Sequence, residues 1–271
     1  MSGMSFQEML DIVLVTIAGR GDARKVLELL SQGARVDARD QGFTPLLAAA
    51  QFGHTEVCKL LLETGKANIE ETGPYGHTAL RIAANKGHSS TVAMLLSQGA
   101  RVDSRDEEGN TPLLAAAQEG HTEVCELLLA NGSDLEVKSP KTRFTALIYA
   151  ALNGDQSLLQ LLISHKANVN SGDGREGTPL HCASQEGHLA SVVTLLQAGA
   201  DPLLPHSNGG LPIHFAATKN HHEVVRILIE QGGCSPDQVR HTYNAVSDHL
   251  ESLSASVTKI LTHCRIHEIY F

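Results

Sequence analysis

The chain has 271 residues, a formal net charge of −9, 42% apolar residues, 4% aromatics and no Trp. That composition supports a buried core, but one built from Ala and Leu at close range rather than a large aromatic core. The acidic balance and the scattered Lys and Arg argue against nucleic acid, which needs clustered cations against its phosphates.

The most apolar early stretch, "MLDIVLVTIAG" (9–19), is too short to span a bilayer and carries Asp11, so no membrane insertion is expected. The opening "MSGMSFQEML" contains no Lys or Arg and does not read as a signal peptide. It reads instead as an amphipathic first helix, with Ser5 and Glu8 forming a capping box at its start.

From residue 44 onward the chain repeats itself. "TPLLAAA" at 44 recurs as "TALRIAA" at 78, "TPLLAAA" at 111, "TALIYAA" at 145, "TPLHCAS" at 178 and "LPIHFAA" at 211, a spacing of 33 or 34 residues. A second mark follows each anchor: "GHTEV" at 53, "GHSST" at 87, "GHTEV" at 120, "GDQSL" at 154, "GHLAS" at 187 and "NHHEV" at 220. A Leu-rich run and a Gly-Ala or variant of it complete each unit. Thr-Pro starts a helix, because Thr accepts from orphan N–H groups and Pro sits where no N–H is needed. The Ala run keeps this helix slim, and Gly at its end allows a left-handed backbone. The second helix carries an apolar stripe at helical spacing, as in "VCKLLL". Residues 44–63 and 111–130 differ only at Phe52/Glu119, Lys59/Glu126 and Glu63/Ala130. The last two pairs fall on the expected outer side of the second helix, where the fold asks little.

This pattern resembles the ankyrin repeat, whose period and T-P-L-H-x-A signature it carries. "TPLHCASQEGHLASVVTLLQAGAD" (178–201) is the best-matching unit. The expected fold is an all-α solenoid of helix-turn-helix units with β-hairpin fingers and a C-terminal helical cap. Residues 1–37 read as an N-terminal capping repeat, since "GRGDARKVLELLSQGARVD" (19–37) keeps the second-helix pattern without the Thr-Pro anchor. Residues 38–236 hold six repeats, and 237–271 form an amphipathic helical segment.

Fifteen histidines invite a metal or catalytic reading, but the repeat absorbs many of them. His54, His88, His121, His188 and His221 share the Gly-His slot, where the resemblance implies an imidazole bridging adjacent repeats. His181 and His214 hold the T-P-L-H slot. His263, Cys264 and His267 have no second ligand pair nearby in sequence. There is no GxSxG, P-loop or HExxH, and "SGDGREG" (171–177) precedes a Thr-Pro anchor rather than joining a strand to a helix. No enzyme activity, cofactor or metal site is expected. The five cysteines form no CxxC pair, which fits a reducing compartment, cytoplasm or nucleus. Cys58 and Cys125 sit on equivalent apolar helix faces as small hydrophobes.

The resemblance implies a protein partner, read on a concave face made by finger tips and first-helix ends. The positions just before the second mark are Gln51 and Phe52, Asn85 and Lys86, Gln118 and Glu119, Leu152 and Asn153, and Gln185 and Glu186. At the finger tips the candidates are Phe43, Tyr75 and His77, Glu108 and Asn110, Arg143 and Phe144, and Arg175. Interface energy concentrates in aromatics and Arg, which selects Phe43, Phe52, Tyr75, Arg143 and Phe144 as anchors, with Tyr149 and Leu152 beside them. Packing competes as an explanation for Tyr149, and for Phe43 and Phe144 between fingers. It explains Phe52 and Tyr75 least. The unit "SPKTRFTALIYAALNGD" departs most from the pattern, with a longer basic finger, Asp155 in place of His, and Leu152 at an exposed slot. One partner segment spanning repeats two to five is the expectation, with the chain acting as a scaffold or adaptor. The resemblance also implies Asn170, in "LISHKANVN", as a candidate for hydroxylation.

Residues 237–271 contain no Gly, and Ser235, Pro236 and Gln238 make a strong helix start. Val239, Tyr243, Val246, Leu250, Leu253, Val257, Ile260 and Cys264 alternate at spacings of four and three. Three readings compete: a cap on the last repeat in a monomer, a coiled-coil dimer through 237–264, and a degraded recruitment box. "ILTHCRIHEI" resembles the Leu-Cys-Arg start of the SOCS box, without its Pro-rich second half. That resemblance supplies the alternative function, a substrate-recognition subunit of a ubiquitin ligase or other complex.

Overall fold

A computed structural model describes residues 5–174 and 177–234. The C-terminal stripe, Arg175 and the candidate ligands His263, Cys264 and His267 lie outside the described residues. The chain divides into two compact units, Met1–Lys141 and Thr142–Phe271.

In the first unit, α1 (Phe6–Arg20) pairs with α2 (Ala23–Ser31), α3 (Pro45–Gln51) with α4 (Thr55–Glu63), α5 (Ala79–Asn85) with α6 (Ser89–Ser97), and α7 (Pro112–Gln118) with α8 (Thr122–Ala130). In the second, α9 (Ala146–Asn153) pairs with α10 (Gln156–Ser164), α11 (Pro179–Glu186) with α12 (Leu189–Gln197), and α13 (Pro212–Thr218) with α14 (His222–Glu230). Within each unit the first helices form one row, α1–α3–α5–α7 and α9–α11–α13. The second helices form another, α2–α4–α6–α8 and α10–α12–α14. No pair can bury its own apolar face, so burial comes from stacking along the rows.

The sequence marks act as their chemistry requires. The hydroxyls of Thr44, Thr78, Thr111 and Thr145 accept the N–H groups of Leu47, Arg81, Leu114 and Ile148 at 3.3–3.4 Å. Ser5 and Glu8 close a capping box on α1, with the Ser5 hydroxyl accepting from Glu8 N–H at 3.1 Å and the Glu8 carboxylate from Ser5 N–H at 2.8 Å. Ala49, Ala50, Ala83, Ala84, Ala116 and Ala117 are fully buried, which is how close the first helices approach. Val57, Cys58 and Leu61 on α4, and Val124, Cys125 and Leu128 on α8, are the buried face of the second helices. Lys59, Glu63, Glu126 and Ala130 are exposed, so both exchanges in the near-copies' second helices change charge against water. Asp11, buried in α1, accepts from Arg35 N–H at 2.8 Å and Arg35 Nε at 2.9 Å. Burial pushes its carboxyl up, but the bonds from Arg35 and Gln7 outweigh this and hold it below the ordinary range.

Among the described residues the fingers are turns rather than strand pairs. Among the described residues the one β-bridge joins Asp40 and Phe43, around Gln41 and Gly42 with φ of 48° and 84°. Elsewhere a finger closes on one rung, as in Asp106 N–H to Asn110 O at 3.1 Å and His206 N–H to Gly210 O at 2.9 Å. Two or three residues between the paired positions leave no length for a ladder. Asp, Gly and Pro at the tips favour the turn itself.

Candidate partner-binding surface

The Gly-His mark builds the joint between neighbouring repeats. His54 Nε2 donates to Gly19 O at 3.1 Å, His88 to Gln51 O at 3.1 Å and His121 to Asn85 O at 3.0 Å. In the second unit His188 donates to Leu152 O at 3.1 Å and His221 to Gln185 O at 3.0 Å. Each ring lies on the glycine of the preceding repeat. A Cβ added at Gly53 or Gly87 would sit 2.7 Å from His88 or 2.6 Å from His121. These glycines, with φ of 73° and 75°, are therefore required twice, for conformation and for space. Asp155 caps its own helix instead, accepting from Leu158 N–H at 3.0 Å.

The joint has a consequence for recognition. Gln51, Asn85, Leu152 and Gln185 have their carbonyls gripped by the next repeat's histidine, so the ends of the first helices are held while their side chains differ. Phe52 is 57% exposed, with its ring over Gly19, and Tyr75 is 71% exposed at a left-handed φ of 61°. Lys86, Glu108, Gln118 and Glu119 are exposed, and Gln51, Asn85 and Asn110 are half-buried. In the second unit Arg143, Asn153 and Glu186 are exposed, with Leu152 and Gln185 half-buried.

Other candidates are partly engaged in packing. Phe43 is half-buried against Val15, Ala38 and Ala48. Phe144 stacks edge-on to buried Tyr149, with ring centroids 5.4 Å apart, and the Tyr149 hydroxyl lies 3.1 Å from Thr142 Oγ1. His77 lies 3.7 Å from the carboxylate of Asp106, an acid whose side chain is 1% exposed and which accepts from Arg81 Nε at 2.9 Å. Burial, then the nearby Arg81 charge, push the His77 imidazole below its ordinary pKa. Sequence reasoning missed Arg81 and Asp106. The signal was there: Arg81 stands third after Thr78, in the slot that holds Leu47, Leu114, Ile148, His181 and His214.

In the second unit that slot works differently. His181 Nδ1 accepts from Thr178 N–H at 3.2 Å and from the Thr178 hydroxyl at 2.9 Å, while Nε2 donates to Gly210 O at 3.2 Å. Burial pushes its pKa down to about 4. Asn170 also spans two repeats. Its carbonyl oxygen accepts from Asp201 N–H at 2.9 Å, and its amide reaches Gly199 O at 3.5 Å. The Cys58 thiol is pushed up to about 12 by burial, so it stays protonated inside the second-helix row. Among the described residues no group of three or more His, Cys, Asp or Glu is placed to hold a metal, and no helix is long and apolar enough to cross a membrane.

A family model for ankyrin repeats, in three copies, matches residues 14–106, 64–139, 113–206 and 180–261. The mouse B-cell lymphoma 3 protein homolog is 31% identical over 202 residues, covering 73% of this chain and 38% of that protein. Zebrafish (Danio rerio) inversin is 34% identical over 227 residues, covering 80% of this chain and 22% of that protein. The Caenorhabditis elegans ankyrin repeat and KH domain-containing protein mask-1 is 36% identical over 211 residues, covering 77% of this chain and 7% of that protein. The chain thus spans well under half the length of these curated relatives. Period, anchors, two-row helix packing and the histidine joint agree with the family match: the chain belongs to the ankyrin repeat family.

Proposed function

We propose that the chain is a protein-interaction scaffold or adaptor that binds a partner protein through the fingers and first-helix ends, with no catalysis of its own. One observation carries this reading. The joint histidines fix the backbone at Gln51, Asn85, Leu152 and Gln185 in the same way, while the side chains offered there and at the following residue change from repeat to repeat. A rigid backbone presenting variable side chains lowers the entropy lost on binding and lets substitutions change the partner without unfolding the array. Exposed Phe52 and Tyr75 are the anchors of the first unit, and Arg143 and Leu152 those of the second. The relatives support the reading at family level only. The reducing cytoplasm or nucleus suits a chain that keeps a thiol such as Cys58 free of disulfides in its core.

The test is alanine substitution at Phe52 and Tyr75, and separately at Arg143 and Leu152. Each pair should weaken partner binding at least tenfold with the melting temperature unchanged. Unchanged affinity for both pairs contradicts the proposal. Asn170 remains a proposed hydroxylation site, and intact-mass and fragment spectra of the cellular protein would show the added oxygen or its absence.

A further inference from the structure

Two residues before four of the six anchors the fingers carry Gly42, Gly76, Gly109 and Gly209, with φ of 84°, 72°, 79° and 77°; Glu176 stands at that place before Thr178 and lies outside the described residues. Arg143 holds the same place at φ 61°. A side chain in the left-handed region is disfavoured there, and glycine is what the turn selects elsewhere. The other left-handed non-glycines have local reasons. Lys66 and Lys166 place a cation just past the ends of α4 and α10, Asn tolerates the conformation at 220, and Gln41 and Tyr75 precede a glycine in a tight turn. Arg143 has none of these.

Its surroundings hold it in place. Phe144 is pinned edge-on to Tyr149, and Thr142 Oγ1 meets the Tyr149 hydroxyl and accepts from Phe144 N–H at 3.3 Å. The Arg143 stem lies against Gly174, where an added Cβ would be 3.3 Å from Arg143 Cγ. Other finger arginines are consumed by the fold: Arg39 donates to Gly42 O and Thr72 O, and Arg105 to Gly109 O. Arg143 is exposed and forms no ion pair or hydrogen bond among the described residues. The other described tips carry Asp40 and Gln41, Tyr75, Glu107 and Glu108, or Ser207 and Asn208. Among the described tips, Lys141 and Arg143 are the positive exception in a chain of net charge −9.

We infer that Arg143 is a specificity-determining contact for an acidic partner segment, an extended peptide that places an Asp or Glu carboxylate on this guanidinium. This rests on the proposed use of the finger and first-helix face, and it names the partner chemistry at one finger. A planar fork pre-set on a pinned loop, with no internal acid to displace, suits a carboxylate. Strain kept at a position where glycine would relieve it points to a use for the side chain.

The test uses the whole chain against a displayed library of random 16-residue peptides, followed by affinity measurement of the selected peptides. Arg143→Gly installs the glycine found at four of the other fingers, so its melting temperature should stay level or rise. Its affinity for the selected peptides should fall at least tenfold, with Arg143→Lys retaining part. The selected peptides should be enriched in Asp and Glu, and their binding should weaken with salt. Peptides without acidic enrichment, acidic peptides held equally by Arg143→Gly, or no enrichment at all would overturn the assignment. A melting temperature that drops with Arg143→Gly would also overturn it, by making the side chain structural. Peptides indifferent to Arg143→Gly but lost with Leu152→Ala would leave the wider surface reading standing. Peptides indifferent to both would remove that reading from the second unit as well.

Discussion

The joints and the fingers of this array obey opposite rules. At the joints the same imidazole lies on the same kind of glycine and reaches the same carbonyl, in both units. At the fingers no two described tips match: a two-residue turn with one bridge at Gln41–Gly42, an exposed Tyr75, acidic Glu107 and Glu108, a strained basic Arg143. Interactions that must recur for stacking keep their residues. Positions released from stacking differ, and they surround the helix ends that the joints hold still. Sameness marks the part that supports, and difference marks the part available to a partner.

The comparison can be broken hardest at a joint glycine. Gly87→Ala forces a Cβ to 2.6 Å from the His121 ring at a φ of 75°, and should cost about 4 kcal/mol in urea unfolding, strain and overpacking together. Gly99→Ala sharpens the point, because it shares the positive φ but meets nothing within 4 Å; it should cost only about 1 kcal/mol. Equal losses would mean that the ring contact contributes nothing.

Acid should act nearly as strongly on the second unit. His181 protonates near pH 4 when folded but near 6.5 when unfolded. Its contribution is therefore complete above 6.5 and is lost as the pH falls toward 4, because the unfolded chain takes up the proton first. The loss is at most about 3 kcal/mol. His181→Leu, the residue found at 47 and 114, should flatten this part of the pH profile. His121→Ala comes next, at about 2 kcal/mol, from the lost bond to Asn85 O and the void beside Gly87. Phe52→Ala should change stability least, by under about 0.5 kcal/mol, since its ring is mostly in water.

Much of this was legible in the sequence, for a physical reason. Thr caps, Pro starts, Ala runs and glycine ends are local chemistry repeated at a fixed period, so each copy corroborates the others. Phe52 was readable because its near-copy carries Glu119 at the same place, which no packing rule would allow. What the sequence could not show depends on contact between distant residues. The ring of His121 lying on Gly87, the burial of Asp106 beneath Arg81 and His77, and the packing of Phe43 against Val15 come from stacking. Hairpin strands were expected at the fingers, and the tips turn too tightly to extend them. The left-handed backbone of Arg143 was hidden because composition marks only the glycines at that position.

The most direct measurement compares wild-type chain with Phe52→Ala/Tyr75→Ala and with His121→Ala, recording the melting temperature and quantifying captured proteins by mass spectrometry. The account predicts that the aromatic pair loses specific partners at an unchanged melting temperature, while His121→Ala lowers the melting temperature and, well below it, keeps the same partners. Retention of every partner by the aromatic variant, at wild-type levels, would contradict it.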